Sequence, residues 1–559
     1  MTSASPGQIL ASVSSGRQVI QDFCPMAASI DWELGQLFWE VRGGGSFTSH
    51  EVPYTVNNDG RLSASAASIL FQSLLESEVQ GGAEGPIRVL ELGVGSGLFA
   101  RFFLEVFSGL CREQDKNFYD RLIYVAADAS ERILADLAAS GVLADHADHC
   151  EIKAIDAMQL GARDGEQFHA VFLNYVLDAL PATVLQVDEI SAGQLYLRTY
   201  LARGTNLKDH TNLAFEEIVR RATSSEPELK RELIDLFHLF SLEGQFRPAS
   251  STLPHLDFAV EFARRSNSHS RYVLHNYAAL QCLEDLLGRL SPGGFILVND
   301  YGIASAGADA NETYSYQHFG ASTAIGLNFQ LLGAYFGNRG CCYWIEPEGD
   351  SPRIFSRMLC REVAPKAAHL FRTIFSRAAH EYLNQPLEAA RKHLTEGRRE
   401  AALVSYREAL ELQPDNWVLL GEVARFLSAG LHDHEAGLTL ARRAAAINPI
   451  SAEVWNTTGD CLVSLGRIDE AEQAFLEALR LSPREAGARY SLVDILMRRN
   501  QMEEALQLIA KVLADDRTGE YRDRLMQRQG EVLARFDHVR QQRSQMLADR
   551  LSGVPRRQA

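Results

Sequence analysis

Between positions 87 and 97 the chain reads IRVLELGVGSG, and positions 98–107 continue LFARFFLEVF. The first six residues form a short apolar run that stops at glycines, and the last ten repeat apolar side chains at helical spacing. The stretch therefore predicts strand, tight turn, helix. Gly93, Gly95 and Gly97 let the backbone approach a ligand where any side chain would block it. Turns of this kind also open dinucleotide sites, and some are merely structural, so the neighbouring segments have to decide.

Outward from this point the same alternation recurs. LIYVAAD (122–128) precedes SERILADLAAS (130–140), CEIKAID covers 150–156, and HAVFLNY (169–175) precedes LDALPATV (177–184). A helix is expected from Tyr277 to Leu290, followed by GFILVNDYG (294–302). Buried strands alternating with helices imply a mostly parallel sheet covered on both faces, an α/β Rossmann-like domain. Residues 204–262 interrupt this rhythm with a charged, helical stretch of little β signal, expected as an insertion overhanging the carboxyl ends of the strands. Residues 1–85 read as a lead-in segment, with the glycine run Gly43 to Gly45 and a helix from Ala64 to Leu75. The domain proper is expected over 86–365, with the lid at about 204–262.

Three residues stand at expected strand tips. Asp128 ends the second strand, where a carboxylate accepts from both hydroxyls of a ribose. Asp156 ends the third, placed to accept from an adenine amine, and Asn174 ends the fourth. Each alone is equally well explained as a helix N-cap; together they line one edge of the sheet.

The set ELGVGSG, D-x-S, IDA, N-x-x-x-DALP and GG-x-x-x-x-x-DYG resembles the MidA-like class I methyltransferases, a family of complex I assembly factors that methylate protein arginine. The likeness spans roughly residues 50–360, and Asn174 to Pro181 is its most specific element. The resemblance implies S-adenosylmethionine as cofactor, contacted by Glu91, Gly93, Gly95, Gly97, Asp128, Ser130, Asp156 and Asn174. Methyl transfer is an in-line displacement that mainly requires positioning and exclusion of water. For a guanidinium or amine acceptor a carboxylate orients the nitrogen and stabilises charge while a proton is lost; Asp178 and Asp300 are the candidates, with Tyr301 as a hydrogen-bonding partner. Val94 stands where the family has proline. The segment 322–329 differs from the family at Ser322, Gly326 and Asn328, and Tyr54 to Asn57 replace another family segment. If these positions shape the acceptor site, arginine specificity does not carry over.

After about residue 365 the β signal stops and a repeat begins. Pro414, Pro449 and Pro483 recur at tetratricopeptide spacing, and Trp455, Gly459, Ala471, Phe475 and Ala478 fall at that repeat's signature offsets. Trp417 with Gly421, and Ala402 with Tyr406 and Ala409, agree, and a weaker unit carries Ala505 and Ile509. Repeats are expected over 366–519, followed by a capping helix and tail over 520–559. Such arrays present concave surfaces for peptides or partner helices.

Charge narrows the function. Lys plus Arg number 55 against 72 Asp plus Glu, a net charge of −17, and the excess of acid lies before residue 366. That field repels a phosphate backbone, and Asn174-Tyr175 lacks the paired prolines of nucleic-acid amino-methylating enzymes. The eight cysteines form no C-x-x-C pair, and adjacent Cys341 and Cys342 suit neither a bridge nor zinc, so free thiols in a reducing compartment are expected. His146, Asp148 and His149, and His432 with His434, read as solvated histidines rather than metal ligands. The N-terminus lacks a signal-like pattern and no run reaches bilayer length; no membrane role and a cytoplasmic address are expected. The sequence thus points to a methyltransferase acting on a protein recruited by the repeats. A non-catalytic adaptor that keeps the fold and a small-molecule methyltransferase stand as alternatives.

Overall fold

The computed structural model of the chain describes residues 17–48, 52, 59–81, 85–160, 166–265, 272–304, 316–351, 354–483, 485–515 and 522–552. Tyr54 to Asn57 lie outside them. The chain divides into two compact units, Met1–Gln385 and Pro386–Ala559.

In the first unit, strand β1 (Val19–Pro25), helix α1 (Ile30–Arg42) and helix α2 (Arg61–Val79) precede an alternating core. The core runs β2 (Ile87–Leu92), α3 (Leu98–Glu113), β3 (Leu122–Asp128), α4 (Glu131–Ser140), β4 (Cys150–Ala154) and β5 (Phe168–Asn174). Next come β6 (Thr183–Val187), β7 (Ala192–Leu201), β8 (Phe240–Pro248) and β9 (Tyr272–His275), before β10 (Leu290–Asp300) returns to the core. Short strands β11 (Gly302–Ile303), β12 (Tyr316–Phe319), β13 (Ser322–Ile325) and β14 (Leu327–Asn328) lead to β15 (Tyr343–Ile345) and β16 (Phe355–Cys360).

The main sheet has the order β15-β16-β10-β5-β2-β3-β4. Its five strands β2, β3, β4, β5 and β10 are parallel; β16 runs antiparallel beside β10, and β15, antiparallel to β16, runs in the direction of the five. Chain order reverses beside β2, which has β3 on one side and β5 on the other. A sheet of this kind opens a crevice at that point, outside the carboxyl ends of its strands. The core is strongly aromatic: Phe99 and Phe103 of α3 both meet Phe172 of β5, with centroids 5.3 and 5.2 Å apart, and Phe103 also stacks on Phe107. Their four-residue spacing puts them on one helix face. Burying each such ring contributes about 1.5–3 kcal/mol.

The expected strands of the core are present, as are its helices except the one expected at LDALPATV, with differences at their ends. The helix from Tyr277 stops at Leu287, and Leu290 already belongs to β10. LDALPATV forms a single 3-10 turn, Leu177–Ala179, and then β6, because Pro181 has no N–H with which to continue a helix. Within 204–262 lie the helices Phe215–Ala222, Pro227–Arg231 and Leu256–Arg265, and also strand β8. β8 pairs along β7 from Pro248 opposite Gly193 to Phe240 opposite Leu201. The other edge of β7 is shared by β1 and β6, which builds a separate antiparallel sheet. The unit also extends past residue 365: the Glu76 carboxylate accepts from Lys366 N at 3.0 Å and Ala367 N at 2.8 Å, capping the helix Pro365–Ile374.

The second unit is all helical, a tetratricopeptide array. Pro414, Pro449 and Pro483 each follow a helix end, at Leu412, Ile447 and Leu481. Ala402, Tyr406 and Ala409 are buried, as are Ala471, Phe475 and Ala478, and Ala505 and Ile509. Gly459 is required by packing, since a β-carbon there would lie 2.5 Å from Phe475 Cε1. Gly459→Val is therefore expected to destabilise this unit by about 1–3 kcal/mol, read as a lower denaturant midpoint in the fluorescence of neighbouring Trp455, and a second change, Phe475→Ala, should return part of the loss.

Candidate active site

The crevice widens into a cavity of ≈ 690 Å³, within the roughly 300–1,000 Å³ of small-molecule sites. Its floor is the turn after β2. Gly93, Gly95 and Gly97 have φ of 72°, 52° and 76°, a region that favours glycine. A β-carbon at Gly93 would come within 2.5 Å of Val176, and one at Gly95 within 3.1 Å of Phe47. Gly97 does not line the cavity; a β-carbon there would strike Leu137, so its constraint is the fit of α3 against α4.

The acidic residues converge on this turn. Asp128 accepts from Gly95 N at 3.4 Å through Oδ2 and from Ser130 N at 3.0 Å through Oδ1. Ser130 caps α4 through Ile133 N and also donates to the Trp39 carbonyl. Burial raises the Asp128 carboxyl to about 6, against the pull of these backbone donors. Glu91, almost fully buried, accepts from the Tyr124 hydroxyl at 2.9 Å, and burial pushes it up to about 8. Asp156 and Asn174 line the same cavity. Asp156 turns the chain after β4 by accepting from Met158 N at 2.8 Å, and Asn174 Oδ1 accepts from Asn299 Nδ2 at 2.9 Å.

Beyond Asn174 the wall changes character. Tyr175 has φ of 55°, an uncommon conformation for a bulky residue that tends to persist at functional sites. Its ring stacks on Tyr301 with centroids 4.8 Å apart. Asp178 lines the cavity beside them, whereas Asp300 is fully buried behind and accepts from Asp178 N at 3.2 Å and Tyr301 N at 2.9 Å. Burial raises both carboxyls, Asp178 to about 7, and the neighbouring Asp178 carboxylate lifts Asp300 further. Asp300 thus grips the loop that carries Asp178 and does not itself reach the cavity.

Several lining residues were not apparent in the sequence. Trp32, Glu33, Gln36, Trp39 and Glu40 of α1 form one wall, and Ser225, Pro227 and Lys230 of the insertion reach its rim. Lys230 is paired with Glu33. The signal for α1 was legible in hindsight: Ser29, which caps the helix through Trp32 N, begins an apolar-periodic run. Of the three departures in 322–329, only Ser322 lines the cavity. Asn328 caps the helix Phe329–Gly337 and holds Leu274 O, and the Gly326 carbonyl accepts from Asn276. His146, expected to be solvated, is buried with Nδ1 2.6 Å from the Tyr119 hydroxyl. Among the described residues no cluster of three or more metal-type ligands occurs.

Residues 71–324 match a family described as "Putative S-adenosyl-L-methionine-dependent methyltransferase". Residues 389–416, 428–486 and 462–520 match tetratricopeptide repeat families. A curated relative, tetratricopeptide repeat protein 33 of Xenopus laevis, is 33% identical over 88 residues, 16% of this chain, and the chain spans 34% of its length. Among solved structures, a Burkholderia thailandensis protein bound to S-adenosyl-homocysteine is 14% identical, covering 58% of this chain and 74% of that one with a TM-score of 0.37. The pilF protein of Pseudomonas aeruginosa is 22% identical, covering 29% of this chain and 72% of that one with a TM-score of 0.25. Residues 71–324 thus carry an S-adenosylmethionine-dependent methyltransferase domain with S-adenosylmethionine as its cofactor, and a tetratricopeptide array follows.

Two outcomes follow from the geometry. Gly95→Asp should abolish S-adenosylmethionine binding in calorimetry, because its carboxylate would enter the cavity that Gly95 lines and the backbone is strained at that φ; an unchanged dissociation constant would exclude the turn. Glu91 has a folded-state pKa above its ordinary value, so its favourable share of stability is complete below the carboxylate range and is lost as pH rises toward about 8. Glu91→Gln should therefore flatten the fall in stability between pH 5.5 and 8.5 by on the order of 2 kcal/mol, measured by denaturant unfolding at both ends.

Proposed function

We propose that the chain transfers a methyl group from S-adenosylmethionine to a nitrogen of a protein acceptor that the tetratricopeptide array recruits. The observation that carries this reading is the meeting, in one cavity, of a glycine turn flanked by acidic strand tips with a second compartment built from Tyr175, Tyr301 and Asp178. S-adenosylmethionine supplies an activated methyl group on a positively charged sulfur. The residues present suit it: Gly93 and Gly95 place no side chain at two positions of the turn, Asp128 and Asp156 offer carboxylates for sugar and base, and Glu91, Ser130 and Asn174 complete the binding set.

In the second compartment the chain's own groups address the acceptor. Asp178, whose carboxyl burial raises above the usual carboxylate range, is a stronger base than an exposed carboxylate and so can orient an incoming nitrogen and accept the proton it sheds. Stacked Tyr175 and Tyr301 present an aromatic surface that favours a cationic, planar group, which accords with the arginine acceptor that the family resemblance implies. Asp300 acts by holding the loop of Asp178, a positioning role. The insertion, through Ser225, Pro227 and Lys230, serves as a lid that keeps water from the reacting groups. The acidic surface disfavours nucleic acid. All eight cysteines are free, which fits a reducing cytoplasm, and no helix among the described residues is long and apolar enough to cross a membrane.

The test is labelled S-adenosylmethionine with whole-cell lysate as acceptor. Labelled protein bands are expected from the full chain; binding without turnover would favour an adaptor, and label confined to small molecules would favour the alternative enzyme. Asp178→Asn should lower turnover about a hundredfold while leaving cofactor affinity nearly unchanged. A fragment ending at Gln385 should bind cofactor as the full chain does yet label its protein target poorly.

A further inference from the structure

The residues between α1 and the glycine turn carry an assignment of their own. Helix α1 ends at Gly43, with φ of 57°, and the chain doubles back: Ser46 Oγ donates to the Gly43 carbonyl at 2.8 Å, and Phe47 N donates to the Gly44 carbonyl at 3.2 Å. This strap is tethered to the core where Gly44 N donates to Asp136 Oδ2 of α4 at 3.0 Å. Asp136 is itself paired with Arg132. A β-carbon on Gly43 would strike both of those side chains, so the strap leaves α1 close against α4. Nothing lies within 4 Å of the corresponding point on Gly45.

Phe47, at the tip of the strap, packs on Trp39 with ring centroids 5.5 Å apart. Its edge lies against Gly95, since a β-carbon at Gly95 would stand 3.1 Å from Cζ. At Gly95 the turn is thus overlain by the edge of an aromatic ring, and both residues line the cavity. We infer that Gly43 to Phe47 form a tethered strap whose Phe47 ring plugs the cofactor cleft, swinging aside for entry and exit and closing over the bound adenosyl group. Glycines at its base supply the turning freedom, and the Asp136 tether limits the excursion. This inference rests on the reading of the cleft as the S-adenosylmethionine site.

The experiment is stopped-flow binding of S-adenosylmethionine to the full chain, followed by tryptophan fluorescence, with Trp39→Phe to identify the reporting residue. Phe47→Ala removes the plug, and both association and dissociation rates are expected to rise, dissociation by about tenfold. Phe47→Leu keeps an apolar plug and should return most of the wild-type rates. Asp136→Ala frees Gly44 and should quicken dissociation while Phe47 stays intact. A Phe47→Ala chain with wild-type rates, or one in which dissociation alone accelerates, would overturn the strap while leaving the cofactor site standing. A wild-type chain that takes up no S-adenosylmethionine would overturn both.

Discussion

The Asp128 carboxylate bridges two loops of different origin, taking one oxygen to Gly95 of the turn after β2 and the other to Ser130 at the start of α4. The cleft depends on that bridge together with one backbone bond. β2 and β3 are neighbours in register from Ile87 opposite Leu122 to Leu92 opposite Ala127, so their tips arrive side by side, and Val94 N of the turn donates to Ala127 O at 2.9 Å. The buried carboxylate, with backbone donors on both sides, extends that hold to Gly95 and to the start of α4. It stays costly to ionise, which is why burial lifts it above the ordinary carboxylate range despite the donors.

The same economy runs through the site. Glu91, Asp178 and Asp300 are buried carboxyls; the Tyr124 hydroxyl donates to Glu91, the backbone N–H groups of Asp178 and Ala179 to the Asp178 carboxyl, and those of Asp178 and Tyr301 to Asp300. With their carboxyls raised by burial, these groups hold their protons more tightly than exposed carboxylates and do without a cationic partner. The cost is borne by the large aromatic core beneath, where Phe99, Phe103 and Phe172 interlock. A framework of that kind can carry several unfavourable groups at its edge.

The parts of the fold legible in the sequence were those with strong periodicity. Strands buried on both faces, such as Leu122–Asp128, read as unbroken apolar runs, and the helices after them repeat at 3.6 residues. β8 was not legible, because SLEGQFRP mixes charge and glycine and its pairing with β7 is decided by tertiary contacts. Position at a strand tip identified Asp128, Asp156 and Asn174 as members of one cavity, since topology brings tips together. It did not separate Asp178, which reaches the cavity, from Asp300, which lies behind it, because that distinction is one of side-chain depth. Nor did it reveal α1 as a wall of the site: Trp32, Glu33 and Trp39 come from a segment remote in sequence, and only packing across the sheet edge brings them near.

In the repeat unit, small residues at fixed offsets predicted close helix packing, and Gly459 against Phe475 shows why the offset tolerates nothing larger. The central claim concerns the other unit, and it is met most directly by a crystal structure of the full chain grown with S-adenosyl-homocysteine. The account predicts density for the adenosyl group between the Gly93 to Gly97 turn and the Asp128 and Asp156 carboxylates, with the sulfur directed toward Asn174 and Tyr175. An empty cleft at saturating ligand, or density bound elsewhere, would contradict it.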